Sequence, residues 1–86
     1  MKAVWYDRQG PAREVLQHGD FADPEPGRNE ALIRVRASGV NPSDAGMRRG
    51  GPGASMAYPR IIPNSDGAGV VEAVGPGAPA SLIGRR

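Results

Sequence analysis

Apolar and polar residues alternate most regularly between Glu30 and Val40, where Ile33, Val35 and Ala37 interleave with Arg34, Arg36 and Ser38. A period of two predicts a strand with one face buried and the other in water. Shorter apolar runs predict strands at Lys2 to Tyr6, Glu14 to His18 and Gly69 to Val74. The first is closed by Arg8-Gln9-Gly10-Pro11 and the last by Gly75-Pro76-Gly77, whose glycines and prolines supply turn geometry. Asp23-Pro24-Glu25-Pro26-Gly27 reads as a stiff extended connector, since two prolines fix φ and withhold two backbone donors. Tyr58 to Pro63 reads as extended and Asn64 to Gly67 as a turn. Ser81 to Arg86 stops where a further strand is expected.

One segment breaks the strand pattern. Asn41 is a good helix cap, Pro42 suits the first helical position, and Asp44 sets a negative charge in the first turn, against the helix dipole. Gly50-Gly51-Pro52-Gly53 stops the helix at Arg49, after about two turns or about 10 Å. Residues 50 to 57 read as a mobile loop.

Composition narrows the class. The chain has 86 residues, enough for one small domain. Its 13 glycines and 9 prolines outnumber its 15 Leu, Ile, Val and Phe residues, so the core must be thin. A net charge of only +2 and the grouping of apolar residues into bounded runs nevertheless argue for an ordered, β-rich chain. Without cysteine there is no disulfide framework, thiolate zinc site or thiol nucleophile. No apolar run approaches the roughly 20 residues a membrane span requires, and no signal peptide or membrane anchor is expected. Ten of the eleven basic residues are arginines, spread along the chain among nine acids, so nucleic acid is not an expected partner.

Three stretches carry a resemblance when taken together and in order. They are Met1-Lys2-Ala3-Val4 with Gly10-Pro11 and Val15-Leu16; Ala37 to Asp44 with Arg48 and Gly50; and Ile62 to Gly75. The sequence resembles the start of a medium-chain dehydrogenase/reductase of the zinc-independent quinone oxidoreductase, or zeta-crystallin-like, branch. The resemblance implies a mainly β fold, a partly open GroES-like barrel with one short helix. Residues 1–86 would be the N-terminal part of the catalytic domain, with a Rossmann cofactor domain lying outside this chain. It further implies NADPH as cofactor, a small-molecule quinone or enone as substrate, a homodimeric parent and a cytoplasmic location. The 86 residues alone would be inactive.

The candidate chemistry follows from that resemblance and from the residue types. Zinc-dependent relatives carry a cysteine where this chain has Asn41, and a His-Glu pair where it has Ser65-Asp66. Zinc needs three or four converging ligands, and the single histidine, His18, stands in a polar strand context, so no metal is expected. Without a Lewis acid to stabilise an alkoxide, reduction of a quinone or polarised C=C bond is the better match. Asn41 is the leading catalytic and cofactor-binding candidate, because a carboxamide offers donors and an acceptor beside a nicotinamide; capping the helix is its other reading. Ser65 is the second catalytic candidate, with turn formation as its alternative. Asp44 and Tyr58 are candidates for the substrate cleft, Asp44 also reading as a cap and Tyr58 as packing on Pro59. Gly67-Ala68-Gly69 does not make a dinucleotide fingerprint, because position 72 is Glu and a strand follows. Its glycines read instead as permitting close backbone passage. Two other functions stay open: a non-catalytic β module that pairs with itself or a partner, and an enoyl-thioester reductase.

Overall fold

The computed structural model describes residues 1–86. The chain forms two compact units, each assembled from two separate segments: Met1–Ala22 with Val40–Ser65, and Asp23–Gly39 with Asp66–Arg86.

In the first unit, β1 (Lys2–Trp5) pairs antiparallel with β2 (Gln17–Asp20), matching Lys2 to Asp20 and Trp5 to Gln17. Tyr6 prolongs β1 by exchanging backbone hydrogen bonds of 2.9 Å with Ile61 in both directions. The expected strand from Glu14 is corrected here. Ala12–Val15 form a single helical turn, α1, and β2 starts only at Gln17. The reason is local: the Pro11 carbonyl accepts from the Glu14 and Val15 N–H groups at 3.0 and 3.1 Å, so the turn closes before pairing can begin. Val15 then points inward and, with Tyr6, is one of the chain's two buried apolar side chains. A second helix, α2 (Pro42–Arg49), completes this unit, with the bounds its sequence predicts. Trp5 and Phe21 tilt against each other at 5.6 Å, and the Arg60 guanidinium lies 4.6 and 4.2 Å from their ring centres. That arrangement ties the loop before Ile61 to the β1 and β2 pair through cation–π attraction.

The second unit is built on β3 (Ala31–Gly39) paired antiparallel with β4 (Asp66–Val74). β4 begins three residues earlier than the apolar pattern predicts, so Asp66 and Gly67 belong to it rather than to a turn; Asn64, at φ 80°, keeps the bend just before. The register slips twice, between Leu32 and Ile33 and between Val35 and Ala37. Each slip leaves one residue outside the backbone register, Glu72 on β4 and Arg36 on β3. The expectation of one buried face on β3 is corrected. Ile33 and Val35 keep their alternation between the two slips, yet they are 50% and 58% exposed, because no other part of the chain covers them. Arg34 reaches Glu72 at 2.5 Å across the pair, an exposed ion pair worth at most about 1 kcal/mol. The tail turns through a short 3₁₀ segment, Ala80–Leu82, and returns to β4, where Val71 donates to Arg85 at 2.8 Å and accepts from Gly84 at 2.9 Å.

Close backbone passage replaces side-chain packing at two glycines of this unit. A Cβ on Gly69 would overlap the Arg34 carbonyl across the pair, whereas one on Gly67 would make only ordinary contact, so the tight passage read from that motif belongs to Gly69 alone. A Cβ on Gly75 would overlap the Gly27 carbonyl, and Gly75 also donates to Glu30 at 2.9 Å, locking the end of β4 onto the turn before β3. Backbone cannot yield as the tip of a flexible side chain can. Gly75→Ala is expected to cost about 1–3 kcal/mol of stability by overpacking, read as a lowered thermal midpoint. Gly51→Ala, in open space, should melt close to wild type.

Candidate functional site

α2 is held at both ends by polar contacts. At its head Asn41 is extended, with φ −121° and ψ 159°, and Pro42 follows at the first helical position. Asn41 and Asp44 form a capping box. The Asn41 N–H donates to Asp44 Oδ2 at 2.7 Å, and the Asp44 N–H donates to the Asn41 carbonyl at 3.0 Å. Asp44 is the chain's one buried polar side chain, at 6% exposure. At the other end Gly50 takes φ 72° and donates to Gly46 at 3.0 Å. The Gln9 side chain donates to the Met47 carbonyl at 2.8 Å, while Arg48 and Gly10 exchange bonds of 2.6 and 3.0 Å. Carbonyls that a helix C-terminus leaves without intrahelical donors are thus satisfied by the loop after β1.

This frame brings together two of the four residues singled out from the sequence. Asn41, half-buried, and Asp44 meet in the box; Ser65 is exposed in the bend before β4, and Tyr58 is 70% exposed in a bent segment. None of the four lines the hollow of about 400 Å³ beside α2. Its wall is formed by Tyr6, Gln9, Gly46, Met47, Gly50, Gly51, Ile61 and the stretch from Ala54 to Ala57. The sequence offered one signal for it, a glycine inside a predicted helix, which nothing in the helix pattern explains. His18 is exposed on β2, and nowhere do three His, Cys, Asp or Glu side chains converge. No helix is long and apolar enough to cross a membrane.

Residues 27–86 match the alcohol dehydrogenase GroES-like domain. The chain belongs to that family. Over all 86 residues this GroES-like chain is 40% identical to a quinone oxidoreductase of Pongo abelii and 38% identical to one of Homo sapiens, spanning 26% of each protein's length. It is 44% identical over 60 residues, 70% of the chain and 20% of the relative, to a trans-enoyl reductase of Aspergillus terreus. Among solved structures, a mycobacterial quinone oxidoreductase superposes with a TM-score of 0.77 at 37% identity, covering 94% of this chain and 23% of that one. A mycobacterial protein in complex with NADPH gives 0.78 at 37%, covering 98% and 24%. The chain therefore spans about a quarter of the length of the relatives it matches. The GroES-like assignment and the resemblance to the quinone oxidoreductase branch of the medium-chain dehydrogenase/reductases both stand. The mainly β architecture with open sheets stands with them.

In this GroES-like chain the capping box is open to a direct test by mutation. Asp44→Ala removes the acceptor for the Asn41 N–H and is expected to lower stability by about 1–2 kcal/mol, measured by denaturant or thermal unfolding. Asp44→Asn retains an acceptor oxygen and should recover part of the loss.

Proposed function

We propose that this chain forms part of the GroES-like catalytic domain of a longer NADPH-dependent oxidoreductase, one that delivers hydride to a quinone or a polarised C=C bond without zinc. The observation that carries this reading is the capping box, which holds a carboxamide residue in fixed backbone geometry at the head of α2. Similarity to quinone oxidoreductases over the full 86 residues supports it, as does the NADPH complex of a structural relative.

The residues present fit one end of such a cofactor. A pyrophosphate calls for a glycine-rich junction between strand and helix, and Gly67-Ala68-Gly69 lies inside β4, so that end belongs to other parts of the protein. A nicotinamide carboxamide calls for an amide partner, and the Asn41 side chain is a carboxamide of that chemistry. When bound, NADPH supplies the hydride with its electron pair. Asn41 orients the acceptor and the ring edge so that little motion separates the bound pair from the reactive geometry. The Ser65 hydroxyl donates to the substrate oxygen on which negative charge gathers. Asp44 acts through Asn41, as a positioning residue, and Tyr58 forms a wall of the cleft. The donor set supports the zinc-free reading, since an amide and a hydroxyl stand where zinc-dependent relatives place metal ligands.

The test is NADPH consumption by the full-length protein with quinone and enone acceptors. Asn41→Ala is expected to lower kcat/KM about 100-fold, the scale of a misplaced reactive pair. An unchanged kcat/KM would remove Asn41 from the site, and inertness toward both acceptor classes would remove the reading. Preference for an enoyl thioester over every quinone would select the second reading, which the Aspergillus terreus relative favours.

A further inference from the structure

Two charged residues of α2 stand where side chains ordinarily pair with each other. Asp44 and Arg48 are four residues apart on one face of the helix, Asp44 buried and Arg48 half-buried. Each bonds to backbone instead. The Asp44 carboxylate accepts from the Asn41 N–H at 2.7 Å, and the Arg48 guanidinium donates to the Gly10 carbonyl at 2.6 Å. The helix dipole favours a cation anywhere in the last turn, which accounts for Arg49, exposed beside it, but not for a bond aimed at one particular carbonyl. That carbonyl is firmly seated. Gly10 returns a bond to the Arg48 carbonyl at 3.0 Å, and a Cβ on Gly10 would stand only 3.0 Å from Val15, which is buried. The two partners are 38 residues apart in sequence. Both belong to the stretches that carry the family resemblance, yet neither holds a group of the proposed reaction.

Resting on the function proposed above, we infer that Arg48 is a positioning residue for hydride transfer, acting through Asn41. A helix held only at its head pivots there. Arg48 lies seven residues beyond Asn41, about 10 Å along the helix axis, so its bond to Gly10 removes the pivot and fixes the direction from which the Asn41 carboxamide is presented. A charge-assisted bond to a carbonyl is short and strong enough to hold that orientation. The gain lies in geometry rather than contact. Arg48 itself meets neither cofactor nor acceptor in this scheme, and a reacting pair tolerates only small displacements.

The full-length protein is assayed with NADPH, with NADPH carrying deuterium at the transferred C4 position, and with whichever of 1,4-benzoquinone and 2-cyclohexen-1-one it reduces. Arg48→Ala is expected to lower kcat about 10-fold, with KM for cofactor and acceptor within about 2-fold of wild type. The deuterium isotope effect on kcat should rise, because hydride transfer then becomes slower than the steps around it. Arg48→Lys keeps a cationic donor facing Gly10 and should recover most of the rate. Arg48→Met keeps the packing of the stem without the donor and should behave as Arg48→Ala does, so the test stands where the alanine variant does not fold. Arg49→Ala, on the same turn, should keep the wild-type kcat. In an Asn41→Ala background Arg48→Ala should cause no further loss, since an effect passed through Asn41 vanishes with it. A lowered melting midpoint with kcat and isotope effect unchanged would make Arg48 a structural residue and end this inference alone, as would losses that add in the double variant. If wild type reduces neither acceptor, the functional reading fails and takes this one with it.

Discussion

A buried carboxylate must find donors, and in this chain the Asn41 N–H, 2.7 Å from Asp44 Oδ2, is the donor in place. From that requirement follow the first residue of α2, the extended backbone of Asn41 and the direction in which the helix leaves it. The C-terminal end is fixed in the same manner. Gln9 and Gly10, brought alongside by the run from β1, take up the Met47 and Arg48 carbonyls, and Arg48 returns a bond to Gly10. With only Tyr6 and Val15 buried among the apolar side chains, backbone and side-chain hydrogen bonds rather than a deep core decide where α2 lies within its unit.

The second unit reaches definition by another route, through backbone approach. Gly69 and Gly75 admit carbonyls where any side chain would collide, and two register slips interrupt the pairing of β3 with β4. This combination costs little apolar surface, as a chain with 13 glycines demands. It also leaves Ile33 and Val35 open to water.

For function, the consequence is a division of labour along one short helix. Its head carries the carboxamide on which the proposed hydride chemistry turns, and its later turn borders a hollow of about 400 Å³. Rigid anchoring at both ends suits such a role, because positioning a reacting pair tolerates little slack.

The local signals proved sufficient wherever a residue type dictates backbone geometry. Asn41, Pro42, Asp44 and Gly50 specify α2 residue for residue, since caps, a fixed φ and a left-handed glycine act over a few bonds. The same holds for the family resemblance, carried by motifs of consecutive residues. The pattern failed where the outcome rests on what lies across space. Alternation at Ile33 and Val35 promised a buried face, but no other segment of the chain packs on it; Glu14 to His18 read as a strand, but Pro11 and Val15 close a turn. The cavity beside α2 was not read from the sequence, because an empty volume is a property of the elements around it, and those come from residues 6 to 9, 46 to 51 and 54 to 61 of the chain. Sequence alone therefore determined the helix, its caps and the kinship of the chain, which short-range geometry settles. Tertiary structure decided the register, the exposed sheet face and the hollow, because these arise from contacts between segments that only folding brings together.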